Sequence, residues 1–433
     1  MAQILIFIVH KKNLKMSQLS TKLTKQIQNS ISRYFKKTSK FLTKAESRNL
    51  REMVTGILKS QQMFVNQIAT SICDSISLKQ TTKRFRRHYN KPGFWKKINN
   101  AHLESVKRKV HNGDYALLDI SDIQKKYARM MEGIDLVKDG DTGKFGWGYW
   151  LMNVILANKY KELTPLYSKL YSFDAGSLSE NKEIMLAIEH ISQTIQKLFT
   201  WVIDRGGDRS ILKDYFVKNI ERFIIRLKRN ARLSYKGQSL AVNQIKNKIK
   251  LDTELRVIKV KKNKRKTRYY TAGATKVGYE IKNKKFELWL IDIRNLQGGF
   301  SYFLVRSEKE NKEEVIKQCF EAYGLRWKIE EYHRHIKQQY HLEDIQVKTF
   351  NGLQSMLSIL TVTMHLIYRE VSAIHNKILL ESGIKTLNKE SVYELFNFTY
   401  YKIGNIIKIL FAHVKPRAFL PDKRSEPSAQ LYI

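Results

Sequence analysis

Tyr323-Gly-Leu-Arg-Trp-Lys-Ile-Glu-Glu-Tyr-His-Arg-His-Ile-Lys337 decides how the rest of this chain is read. At about 100° per residue, with Arg326 at zero, Lys337 falls near 20°, Glu330 near 40° and Tyr323 near 60° on a helical wheel. Leu325, Ile329, Tyr332 and Ile336 gather between roughly 240° and 300°. The apolar stripe predicts a face against a core. The other stripe holds a carboxylate flanked by two cations and a phenol. On a surface helix such a set is usually a solvated group of i,i+4 ion pairs. It is also what metal-dependent phosphoryl transfer requires: a carboxylate on a rigid element among groups that hold phosphate. Glu331, near 140°, lies off this stripe, so the wheel selects Glu330.

The 433 residues suffice for two or three domains with a sizeable core. Lys and Arg number 79 against 40 Asp and Glu, giving a net charge of +39, and 42% hydrophobic residues exclude a disordered basic tail. The excess implies a polyanionic partner, nucleic acid first and an anionic membrane second. Cys73 and Cys319 offer neither a metal spacing nor a disulfide framework and fit a reducing cytosol. Ile4 to Val9 is too short to span a bilayer or form a signal core. Met16 is an alternative start, which would make residues 1–15 an extension. Leu353 to Tyr368 carries Gln354, Ser355, Ser358, Thr361, Thr363 and His365 and reads as a buried helix.

Residues 1–110 read as a helical, DNA-binding region, with apolar spacing through Ile57, Phe64, Ile68, Ile72 and Ile76. Within it, Lys83, Arg84, Arg86 and Arg87 surround Phe85. A solvated basic face and contact with the DNA backbone or groove both fit. Residues 111–228 read as strands at 115–120, 149–156 and 163–173, a helix at 180–197, a strand at 198–204, a helix at 209–218 and a strand at 223–228. Gly143, Gly146 and Gly148 read as a turn before the second strand. Residues 229–310 form a β-rich insertion with strands at 269–282, 286–293 and 302–306. The run Lys259 to Arg268 reads as a solvated loop that can also track phosphates. The glutamate helix, 312–339, lies within 311–345. Residues 346–433 read as a helical C-terminal region suited to dimerisation, with a tail bearing Pro416, Pro421 and Pro427 that is expected to fray. The class is α/β.

Two-metal phosphoryl transfer needs about three carboxylates from different elements. Hard oxygen ligands select Mg²⁺, with Mn²⁺ as an alternative. Asp119 closes an apolar strand, where an unpartnered acid is costly. Asp122, three residues on, is its competitor. Asp204 ends a strand beside Gly206-Gly207, a common site position, and also suits a helix cap. Asp292, at the end of Leu288 to Ile291, is a weaker second ligand.

The spacing Tyr-x2-Arg-x3-Glu-x6-Lys, here Tyr323, Arg326, Glu330 and Lys337, resembles the YREK signature of DDE transposases of the insertion sequence four family of bacterial mobile elements. Trp327, Ile329, Glu331 and His333 resemble it too. Asp204 in Val-Ile-Asp-Arg-Gly is similar to the second aspartate of that family, and Asp119 in Leu-Asp-Ile-Ser to the first, although Ile-Ser departs from the usual following residues. The likeness spans roughly residues 115–370. It implies an RNase H-like (retroviral integrase-like) catalytic core with a β-strand insertion, flanked by helical N- and C-terminal regions. It also implies a homodimer in a synaptic complex on double-stranded DNA, acting on terminal inverted repeats and on target DNA, with no membrane. A bacterial cytoplasmic, nucleoid-associated location follows. The implied reaction is Mg²⁺-dependent cleavage through a hairpin intermediate, then strand transfer in cut-and-paste transposition. Asp119, Asp204 and Glu330 would be the catalytic metal ligands, and Tyr323, Arg326 and Lys337 would grip phosphates. Trp289 would hold a base out of the stack, against the plainer reading of a core strand aromatic; Trp327 is a second choice, for which packing is the plainer reading. A nuclease of the same fold without strand transfer, and an inactive DNA-binding remnant, are the alternatives.

Overall fold

Alternating three- and four-residue apolar spacing near the N-terminus produces helices, and they build one of two units. The computed structural model describes residues 21–371, 374, 399–412 and 414, apart from 127, 129, 141, 221, 262 and 263. The readings of residues 1–15, of 372–398 as helix and of the proline-bearing tail lie outside the described residues. One unit comprises Met1–Ser105 with Ile336–Ile433, the other Val106–His335.

In the first unit, α1 (residues 21–38), α2 (Lys44–Ser60), α3 (Val65–Ile72), α4 (Leu78–Tyr89) and α5 (Phe94–Val106, ending at the unit boundary) precede the later α10 (Phe350–His365) and α11 (Thr399–Phe411). Thr43 and Glu46 form a reciprocal capping box that starts α2. Ile27, Met53, Ile57, Phe85 and Met356 are among the fully buried side chains. The mixed polar and apolar run Leu353 to Tyr368 is buried throughout, as its sequence predicts; Ser358, Thr361 and Thr363 satisfy their hydroxyls on carbonyls one turn back. No helix among the described residues is long and apolar enough to cross a membrane.

The second unit is a mixed α/β structure on one twelve-stranded sheet. Its strands are β1 (Tyr115–Gln124), β2 (Asp135–Lys138), β3 (Phe145–Ala157), β4 (Leu163–Tyr171), β5 (Thr200–Ile203), β6 (Phe223–Leu227), β7 (Arg232–Tyr235), β8 (Gln238–Ala241), β9 (Thr253–Lys261), β10 (Lys264–Ile281), β11 (Lys284–Asn295) and β12 (Phe300–Arg306). The order is β2-β3-β1-β5-β6-β12-β11-β10-β7-β8, with β4 on β3 and β9 on β10. The helices are α6 (Glu180–Ile195), α7 (Ser210–Asn219), the single turn α8 (Val242–Ile245) and α9 (Lys312–Arg334). Ala116, Leu117 and Leu118 are buried in succession because β1 is central, antiparallel to β3 and parallel to β5. Through β12, which pairs with β6, the β-rich block from 229 onward continues the same sheet.

Two local readings are corrected, and three short strands are new. The described residues of the run Lys259 to Arg268 are strand and not loop: their backbone pairs from Lys264↔Lys261 to Arg268↔Val257. The β-branched residues Val257, Ile258, Val260 and Thr267 favour that pleated backbone despite the charge. Gly146 and Gly148 lie inside β3 instead of in the turn before it. A Cβ on Gly148 would sit 2.0 Å from the Ile123 carbonyl oxygen, so this close strand approach requires glycine. Four-residue strands β2, β7 and β8 carry too little alternation to be foreseen.

Candidate active site

Parallel pairing of β1 with β5 ends at Leu118↔Ile203, so the next residues, Asp119 and Asp204, emerge beside each other. This is the carboxyl end of β5, where open α/β sheets present their sites. Asp204 Oδ1 accepts a hydrogen bond from Gly206 N–H at 2.7 Å and caps the tight turn Arg205–Gly207. It does not cap the following helix, since Arg209 precedes α7.

Glu330 arrives on α9, which packs against β1, β3 and β5. Asn311 starts that helix by accepting from Glu313 N–H at 2.9 Å and Glu314 N–H at 3.3 Å, and both acids suit the positive end of the helix dipole. The predicted stripe is buried: Leu325, Ile329, Tyr332 and Ile336 all face inward. The opposite face then carries Tyr323, Arg326 and Glu330. Arg326 forms an ion pair with Glu330 Oε1, and its Nη1 stands 3.7 Å from Asp119 Oδ2.

Burial pushes the Asp119 carboxyl up to about 7; Arg326 opposes the rise, Asp204 adds to it, the Ile120 amide opposes it, and Glu330 adds to it. Asp119 is only 16% exposed. Arg326 is held charged; its own burial works against that, and Tyr323, Asp119 and Glu330 outweigh it.

Two residues given no role from sequence join this cluster. Arg226, on β6, donates to the Tyr323 hydroxyl at 3.2 Å, and Phe303 meets the same ring edge-on at 4.6 Å. Both Arg226 and Arg326 also lie over the Tyr323 ring. Arg226 interrupts the apolar strand Phe223–Leu227, the same signal that marked Asp119. His333 Nδ1 is 3.9 Å from Asp119 Oδ2. The wheel itself puts His333 near 340°, at the margin of the polar stripe.

The remaining sequence candidates fall elsewhere. Asp122 is buried and, at an odd spacing from Asp119 on an unbroken strand, lies on the other face of β1. Asp292 is fully buried on β11 and paired with Arg294 at 2.7 Å, away from the other carboxylates. Lys337 sits in a π turn, His335–Gln339, and pairs with Glu343 at 3.2 Å. The wider π turn breaks the constant 100° step on which its wheel position rested. Lys276 covers the Trp289 ring at 4.3 Å across β10 and β11. Trp327 does not pack; it is 53% exposed. On α4, Lys83, Arg86 and Arg87 are exposed, whereas Arg84 is committed to Glu52 at 2.7 Å and Asp74 at 2.8 Å.

Asp119, Asp204 and Glu330 supply only carboxylate oxygens, the donor set of a hard divalent cation. Burial is the main cause of the raised Asp119 carboxyl, Asp204 and Glu330 add to it, and the Arg326 guanidinium stands among these oxygens as their counter-charge. The donor chemistry therefore fits a cation, although among the described residues no three ligating side chains already stand as a closed cage.

No curated protein matches the chain. Residues 168–366, which hold Asp204 and Glu330, match the family model of the transposase DDE domain, and that match supports a DDE transposase, an enzyme acting on DNA.

Proposed function

We propose that this chain is a cut-and-paste DDE transposase of the insertion sequence four type, with Asp119, Asp204 and Glu330 as its catalytic carboxylates. The observation that carries the proposal is the convergence of two strand-end aspartates, Asp119 and Asp204, with a helix face bearing Arg326 and Glu330. The order β4-β3-β1-β5-β6, antiparallel up to β1 and parallel from β1 to β6, supports an RNase H-like core.

The three carboxylates would hold Mg²⁺ or Mn²⁺, which supplies charge stabilisation for the attacking and leaving oxygens of a phosphodiester. The protein's own groups do the rest. Arg326, with Arg226 and Tyr323, grips a phosphate of the transposon end, where a guanidinium binds bidentately. Buried packing of α9 on the sheet holds Glu330 within the tolerance that such chemistry needs. Trp289 or the exposed Trp327 stacks on a displaced base during hairpin formation. Lys83, Arg86 and Arg87, with the basic β9–β10 hairpin, contact the duplex backbone of the inverted repeats and of target DNA. A homodimer pairs the two ends in the bacterial cytoplasm.

The test is a cleavage assay on DNA carrying the flanking inverted repeat, in Mg²⁺, on a denaturing gel beside Glu330→Gln. A nick followed by a hairpin and then a joined product, all absent in the variant, is expected. Nicks without joining would leave a nuclease. Tight binding without cleavage in either metal would leave a DNA-binding protein.

A further inference from the structure

Asn153 on β3 lies directly across from Asp119, and Ser168 on β4 lies directly across from Asn153. Cross-strand partners share one face of a sheet. Ser168, Asn153 and Asp119 therefore form a polar row over three strands, and Asp204 follows beside it. The surrounding β3 residues Leu151, Met152, Val154 and Ile155 are apolar and buried. Asn153 is itself fully buried. Its Oδ1 accepts a hydrogen bond from the Ser168 hydroxyl, which turns the amide oxygen toward β4. The amide nitrogen, Nδ2, is buried and has no hydrogen-bond partner among the described residues. A buried N–H without an acceptor is costly and uncommon in folded proteins. Ser168 holds the oxygen on the β4 side, so the donor is left for the β1 side, where the residue opposite is Asp119.

We infer that Asn153 is a positioning residue for Asp119: with a divalent cation bound, Asn153 Nδ2 donates to the Asp119 carboxylate, the Ser168 hydroxyl locks the amide, and the free lone pairs of Asp119 are aimed at the cation. Ligating carboxylates are commonly oriented by such outer hydrogen bonds, and losing one typically weakens metal binding by about 10–100-fold. The inference rests on the proposed reading of Asp119 as a metal ligand.

The test uses Mn²⁺ alone as the probe, titrated into the full chain without DNA and followed by electron paramagnetic resonance. Melting temperature and DNA affinity are measured alongside. Asp119→Asn should abolish tight Mn²⁺ binding. Asn153→Leu, close in size but without the amide, should weaken it by about 10–100-fold without lowering the melting temperature or the DNA affinity. Ser168→Ala should act in the same direction and less strongly. A purely structural Asn153 would lower the melting temperature and leave the Mn²⁺ affinity of the folded protein unchanged. Wild-type Mn²⁺ binding in Asn153→Leu, with binding lost in Asp119→Asn, overturns the positioning role and leaves the metal site standing. Binding retained in Asp119→Asn as well removes the metal-site reading and the inference together. Should Asn153→Leu fail to fold, wild-type Mn²⁺ affinity in both Asn153→Ser and Ser168→Ala overturns the role.

Discussion

Arg326 and Glu330, one turn apart on α9, are joined by an ion pair whose guanidinium also reaches to within 3.7 Å of Asp119. A cation of the protein thus stands among carboxylates suited to a metal. A DNA phosphate is the better bidentate partner for that guanidinium. Arg326→Gln is accordingly expected to move two affinities in opposite directions. Without DNA, Mn²⁺ should bind about tenfold tighter, or about 1.4 kcal/mol, because a competing positive charge is gone. Cleavage of the transposon end should fall sharply. Calorimetric titration of both proteins decides it; weaker Mn²⁺ binding in the variant would refute the competition.

Asp119 gives a pH dependence whose sign is fixed. Its carboxyl is raised by burial from 3.8 to about 7, so the folded chain holds this proton more tightly than the unfolded chain. The associated stability is complete below about 3.8 and is lost as pH rises through about 7. Asp119→Asn should therefore melt higher than the wild type at pH near 8 without divalent cations, by an amount on the order of 2–4 kcal/mol. The difference should close as the pH approaches about 4, the ordinary carboxylate range. A variant that melts lower than the wild type at the alkaline end would contradict the assigned burial.

The exposed cations of α4 separate by their partners. Replacing Lys83, Arg86 and Arg87 with Ala should flatten the salt dependence of DNA binding by up to about 0.9 per lost phosphate contact. Arg84→Ala should leave that slope alone and instead destabilise the fold by roughly 1–3 kcal/mol, because Glu52 and Asp74 lose their shared partner. Filter binding over a salt series, with melting curves, distinguishes the two groups. Equal slopes for the triple variant and the wild type would remove this helix from the DNA contact.

Gly148 tests the β1–β3 seam at the end of β1, where it pairs with Gln124. A side chain there meets the Ile123 carbonyl oxygen at 2.0 Å and Val137 Cγ2 at 2.9 Å. Gly148→Val should cost about 3 kcal/mol and reduce cleavage by disturbing the β1–β3 register. Gly140→Ala, where nothing lies within 4 Å, should stay within about 0.5 kcal/mol of the wild type. Denaturant melts that rank the two substitutions equally would rule out the close approach.

Much of the candidate site was legible because its residues break local rules. An acid in an apolar strand marked Asp119, an acid before a Gly-Gly turn marked Asp204, and helical periodicity marked Glu330. The same reading stopped where information is non-local. Only strand pairing sets Asn153 opposite Asp119, and only the sheet order brings Arg226 to Tyr323. The long strands followed from apolar runs, whereas the basic β9–β10 hairpin did not, because seven cations between Lys259 and Arg268 mask its β-branched residues. Lys337 shows a different limit: an α-helical wheel has no means of anticipating a π turn.

The pairing of β6 with β12 bears on how this chain can be shortened. A deletion from residue 229 to residue 310 would remove β12 with the rest of the block and strip β6 of its outer neighbour. The bared strand, Phe223–Leu227, is almost wholly apolar, and an open edge of that kind invites pairing between molecules. A trimmed protein must keep β12 as a cover strip. Length is most safely gained or lost at a far hairpin tip, such as the turn Lys236-Gly237 between β7 and β8, where no strand depends on the residues removed.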